Sequence, residues 1–193
     1  VVAIADRLPG ITGVLADWDG VGRIQARHLH AKGHRRVLYV PPDYPYPSAL
    51  ERQASFFEEA GRLEMEVLLG TPTAGYVARE KLDLAAHRRD ERVLEHLDIP
   101  SRPSAILCWD DHAAYRLAKR LAAKGLRLPG DLAIMGCNGS VPHIEPEWNL
   151  TTVRAPWKAL GETAIAALKA RIDGAEFPQQ TTLPVELVVG ATV

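Results

Sequence analysis

Along the 193-residue chain, short apolar runs alternate with amphipathic stretches from one end to the other. That alternation predicts an α/β fold with a largely parallel sheet, because each strand is followed by enough residues for a helical crossover. Strands are expected near residues 2–5, 13–16, 36–40, 65–69, 104–109, 132–136, 151–154 and 183–189, with helices in the intervals. In "HAAYRLAKRLAAKGLRLPGD", Ala113, Ala114, Leu117, Ala118, Leu121 and Ala122 recur at helical spacing and mark one buried face. Gly125 suits the left-handed position that ends such a helix, and Pro129-Gly130 suits the centre of a type II turn. Ser48 and Glu51 stand at capping-box spacing, which predicts a helix from Ala49 to about Arg62. Pro156 fits the first turn of a last long helix that ends near Asp173-Gly174, and "VPPDYPYPS" reads as a proline-rich loop.

Composition narrows the classes. A hydrophobic content of 47% suffices for a core, and the length lies between one and two domains. The formal net charge is −1, from 23 basic and 24 acidic residues spread along the chain, so the sequence carries no basic footprint for nucleic acid or an anionic membrane. No apolar stretch approaches the roughly 20 residues of a membrane span. Cys108 and Cys137 each end an apolar run, and buried free thiols in a reducing cytoplasm are the expectation. "VVAIAD" already reads as the inside of a strand, so the chain is expected to be part of a longer protein.

In an open parallel sheet, ligands collect at the carboxyl ends of strands, where loops converge and helix N-termini present free amides. Asp6, Asp17, Asp110, Asp111 and Asn138 all follow predicted strands and form a candidate polar rim. Asp and Asn are also preferred helix N-caps, and capping is the favoured reading for Asp17 and Asp111, which leaves Asp110 to face a ligand. The capping-box register puts Arg52 in the first turn of its helix, where the macrodipole disfavours a cation and a polar or anionic partner is called for; a solvated arginine is the alternative. Trp109 is either a stacking platform for a sugar face or part of the core. Metal and catalytic readings find little support. His30 and His34 straddle a helix end at Gly33, the adjacent Asp110, Asp111 and His112 point in different directions, and no zinc, phosphate-loop or nucleophile-elbow motif occurs. No cofactor, metal site or enzymatic activity is expected.

With these blocks assembled, the chain resembles the effector-binding domain of the lactose-repressor (LacI/GalR) family of bacterial transcriptional regulators. The resemblance runs in order through "VVAIADR", "VLADWDGVGRIQARHLHAKGHRRVLYV", "ALERQASFFEEA", "PSAILCWDDHAAYRLAKRLAAKGLRLPGDLAIMGCNGS" and "LTTVRAPWKALGETAIAALKARIDG". It implies doubly wound parallel sheets in two lobes of the type I periplasmic-binding-protein kind, with the first lobe incomplete and the helix-turn-helix absent from this chain. Residues 18–147 plus 181–193 are then expected in the second lobe and residues 1–17 plus 148–178 in the first, with exposed apolar surface on the incomplete lobe.

The resemblance further implies a ligand site of Asp6, Arg52, Trp109, Asp110 and Asn138. Asp110 stands where the family usually has asparagine, Asn138 stands where it usually has an aspartate, and Gly139 replaces a second acid, so amide and acid are exchanged across the cleft. The implied function is a cytoplasmic sensor: a small polar effector, expected to be a carbohydrate, binds between lobes and controls operator binding by a dimer through the absent N-terminal domain. Dimerisation would use the helix at 112–124 and the loop 139–146. A periplasmic-type solute receptor for sugar transport is the alternative, and an α/β enzyme acting on carbohydrate or nucleotide a more distant third.

Overall fold

The alternation of apolar residues resolves into two sheets rather than one. The computed structural model describes residues 1–42, 46–70, 90–97, 100–139 and 149–193. Strands β1 (Val2–Ile4), β2 (Thr12–Ala16) and β8 (Gln180–Leu183) form a three-stranded parallel sheet in the order β1-β2-β8. Strands β3 (Arg36–Val40), β4 (Glu66–Leu69), β5 (Ala105–Cys108), β6 (Ala133–Asn138), β7 (Thr151–Arg154) and β9 (Glu186–Val188) form the larger sheet in the order β4-β3-β5-β6-β7-β9. Among the described strands, only the β7–β9 pair is antiparallel.

Side chains on the central strands alternate between two buried faces, as a sheet covered on both sides requires. Val37, Tyr39, Ala105, Leu107, Ala133, Met135 and Cys137 pack with helices α1 (Trp18–Ala31) and α2 (Pro47–Arg62). Leu38, Val40, Ile106, Cys108 and Ile134 face the other way, against helix α3 (Asp111–Ala123) and Val93 and Leu94 of the helical stretch 90–95. Cys108 and Cys137 are both buried and outside any disulfide, and they lie on opposite faces of the sheet. Helix α4 (Trp157–Ile172) packs on β1 and β2 through Leu160, Ala164 and Ala167, while Ile165, Leu168 and Ile172 are exposed.

Several expected boundaries shift. The run 183–189 is two strands in two sheets, with Pro184 between them, because a residue without an N–H cannot continue a ladder. Thr151–Arg154, expected in the first lobe, pairs with β6 and belongs to the larger sheet, whereas residues 181–183 pair with β2 in the smaller one. The chain thus passes between the sheets three times, after β2, after β7 and after β8. Gly130 does not have the positive φ of a type II turn; the segment is tied instead by Asp131, which accepts from the Arg127 N–H at 2.9 Å. Gly33, Gly125 and Gly174 do adopt the left-handed conformation after their helices.

Candidate functional site

The carboxyl ends of β5 and β6 and the start of α2 converge, and the segment after β1 reaches them from the smaller sheet. That reach depends on an unusual turn. Ala5 has φ of 71°, a left-handed value that a side chain disfavours, and the Asp6 N–H closes a tight turn on the Ile4 carbonyl at 2.9 Å. The Ala5 carbonyl accepts from Trp18 Nε1 at 2.6 Å, which fixes the turn from the first residue of α1. Asp6 Oδ1 then accepts the Ser48 N–H at 2.9 Å, so a residue from one sheet caps a helix of the other.

This contact corrects the expected capping box. Helix α2 begins at Pro47, preceded by Tyr46 with no side-chain cap of its own, and Ser48 lies inside the first turn. Proline at the first helical position gives up an N–H that has no helical partner anyway, so it takes the start that Ser48 and Glu51 had suggested. Arg52 consequently sits in the second turn, where the dipole argument no longer applies, and its surroundings must be described directly.

Arg52 is only 5% exposed. Its Nε donates to the Ser48 carbonyl at 3.2 Å, and its Nη1 lies 3.1 Å from the Trp109 carbonyl, 2.8 Å from Cys137 Sγ and 3.5 Å from Asn138 Oδ1. The guanidinium carbon stands 5.1 Å from the centre of the Trp18 ring, a cation–π arrangement. Arg52, Trp109 and Asn138 are therefore brought together, and Asp6 joins them through Ser48. Burial pushes the Cys137 thiol pKa up, with Arg52 opposing that shift in part, so the sulfur next to the guanidinium is a neutral thiol. The phenol of Tyr39, from the same core, is pushed up by burial in the same way.

The two adjacent acids do not take the roles expected of them, since the cap is Asp110 and not Asp111. Asp110 is the N-cap of α3, accepting the Ala113 N–H at 2.7 Å, while Asp111 is the first helical residue, 1% exposed, and accepts the Thr152 hydroxyl at 2.7 Å. Strand β5 ends one residue earlier than anticipated, at Cys108, which moves the cap back to Asp110. Asp17 caps α1 as expected, through the Gly20 N–H at 2.9 Å. Trp109 is half-buried and stacks on Tyr46, with centroids 6.1 Å apart and planes inclined by 21°.

Asn138 ends β6 with φ of 102°, and its carbonyl accepts from Trp157 Nε1 at 2.9 Å. Gly139 follows with φ of 67°, and a Cβ there would meet Arg154. Trp18 and Trp157, whose ring centres are 6.2 Å apart, mark two of the three passages between sheets and were not anticipated as site residues. Trp18 follows the end of β2 by two residues and Trp157 the end of β7 by three. Among the described residues, no group of three or more potential metal ligands exists. Most of the proline-rich loop's centre and residues 140–146 of the proposed dimer loop lie outside the described residues.

Residues 26–193 match the periplasmic binding protein-like domain family. The lactose operon repressor of Rhizobium radiobacter is 32% identical over 95 residues, a match that spans 48% of this chain and 81% of the repressor. The chain belongs to the LacI family. The HTH-type transcriptional repressor MelR of Bacillus subtilis is 28% identical over 184 residues, 90% of this chain and 50% of that repressor. This LacI-family chain thus spans about half the length of that relative. In fold it is similar to a LacI family transcriptional regulator from Enterococcus faecium solved with bound ribose, with a TM-score of 0.81 at 21% identity, covering 99% of this chain and 69% of that one. The chain carries the periplasmic binding protein-like domain of the LacI family, with the type I fold expected from its sequence.

Proposed function

We propose that this domain senses a sugar or similarly hydroxyl-rich effector held between the two sheets, at Asp6, Arg52, Trp109, Asp110 and Asn138, and so controls DNA binding by a cytoplasmic dimeric regulator. The observation that carries the reading is the buried Arg52, whose hydrogen bonds run to groups at two strand ends and whose helix is capped by Asp6 from the other sheet. A donor fork and flanking acids suit vicinal hydroxyls, which both donate and accept. The ribose in the Enterococcus faecium structure is in keeping with a hydroxyl-rich ligand.

The mechanism is a population shift. A ligand that touches Arg52 from the larger sheet and Asp6 from the smaller one binds the closed arrangement more tightly than the open one, and the difference in affinity moves the equilibrium. Operator binding responds to the extent that a dimer, built on the helix at 112–124 and the loop 139–146, couples the two arrangements to its DNA-binding domains. Calorimetric titration of the intact protein against a sugar panel tests the site. Arg52→Ala is expected to weaken binding at least tenfold and Asn138→Ala several-fold; affinities unchanged in both variants reject the assignment.

A further inference from the structure

Among the described residues, Arg52 hydrogen-bonds to no carboxylate. Asp6 and Asp110 each accept a backbone N–H at the start of a helix, where the helix dipole already favours a negative charge. Arg52 has no such compensation. It is 95% buried by its 5% exposure, and among the described residues its hydrogen-bond acceptors are two carbonyls, a thiol and an amide oxygen, all neutral. Nη1 carries three of those contacts and Nε the fourth, while Nη2 donates to none of the described residues. The Trp109 indole N–H, at the same strand end, is likewise a buried donor that finds no acceptor among the described residues.

A cation withdrawn from water and met only by neutral acceptors retains an unpaid desolvation cost, and a donor surplus is satisfied by an acceptor-rich anion. The nearest side-chain oxygen to the guanidinium among the described residues belongs to an amide, Asn138, whose Oδ1 lies 3.5 Å from Nη1. We infer that the effector carries a negative charge, a sugar or polyol acid whose carboxylate or phosphate takes up Arg52 Nη2, rather than a neutral sugar. This rests on the sensor reading above and specifies its ligand. An arginine is suited to the role because its fork meets an oxyanion through charge-assisted hydrogen bonds.

Matched pairs distinguish the two statements. Titration of the intact protein with D-galacturonate against D-galactose, D-gluconate against D-glucose, and D-glucose 6-phosphate against D-glucose is expected to show at least one acid binding tenfold or more tightly than its neutral parent. The arm that responds tells carboxylate from phosphate. Asn138→Asp, which sets a carboxylate beside Arg52 with almost no change of shape, is expected to erase that preference and to raise the melting temperature of the ligand-free protein. Neutral sugars that bind as tightly as their acids, with Arg52→Ala still abolishing binding, overturn the anionic effector and leave the sensor standing. An acid preference that survives Asn138→Asp also overturns it. Binding of no member of the panel counts against both.

Discussion

Ala5 and Asn138 are non-glycine residues with positive φ, and both sit where the segments from the two sheets converge. Strain of this kind costs about 1–3 kcal/mol per residue and persists only where the surroundings enforce it. At Ala5 the enforcement is visible, since its carbonyl is held by Trp18 and the next residue caps α2. Ala5→Val is expected to lower stability by about 1–3 kcal/mol in urea denaturation, because a branched side chain tolerates this backbone region poorly, whereas Ala5→Gly should not lower it. The neighbouring acids give a second test. Asp110→Ala should cost about 1 kcal/mol through the lost cap, while Asp110→Asn, an equally good cap, should leave the denaturation midpoint nearly unchanged. The order of roles in Asp110-Asp111 was not legible in the sequence, because a one-residue change in where β5 ends decides which of two identical side chains becomes the cap. Asp17, which has no acidic neighbour on either side, offered no such ambiguity and was read correctly.

At the scale of elements, the site depends on how closely α1 and α2 approach. Gly22 on α1 lies against the Arg52 carbonyl, the Phe56 N–H and the Ser55 hydroxyl, and a Cβ at that position would overlap all three. Gly22→Ala should therefore push α2 outward, costing about 1–3 kcal/mol by overpacking, and should weaken effector binding as well, because the displaced helix carries Arg52. Urea denaturation and calorimetry on the same variant check both parts. The strands were legible because residues on them alternate between two apolar faces, and the helix ends because Gly33, Gly125 and Gly174 supply the left-handed residue. Two signals were present but misweighted. Pro47 outranks a serine one residue later as a helix start, and Pro184 divides a run that hydrophobicity alone joins. Contacts such as Asp6 to Ser48 and Arg52 to Cys137 span 42 and 85 residues, and no local pattern encodes them.

For the molecule as a whole, pH enters through α1 and the turn that follows it. Burial lowers the pKa of His28, and also that of His34, below the ordinary value of 6.5, with the nearby Lys32 acting in the same direction on both. A histidine that resists protonation when folded but accepts a proton when unfolded favours the unfolded state as acid is added. Stability should be unaffected by these groups above about pH 7, fall as the pH drops below about 6.5, and level off once the pH passes their lower folded values. Melting curves between pH 5 and 8, with His28→Gln and His34→Gln together flattening the slope, would show it. The two-sheet layout explains why the lobe boundary was harder to read than the fold: a chain that crosses three times assigns neighbouring strands, β7 and β8 among them, to different sheets.

The indoles offer a practical reading of this arrangement. Three of the chain's four tryptophans, Trp18, Trp109 and Trp157, are tied to the Arg52 environment by a ring contact, a carbonyl or a hydrogen bond to Asn138. A ligand that draws the guanidinium away from Trp18 would change the field on that ring, and the proposed closure would change the 6.2 Å spacing between Trp18 and Trp157. Occupancy should thus be visible as a change in intrinsic emission without any label. Trp18→Phe should remove most of that signal, so the protein carries a built-in optical gauge for finding its own effector.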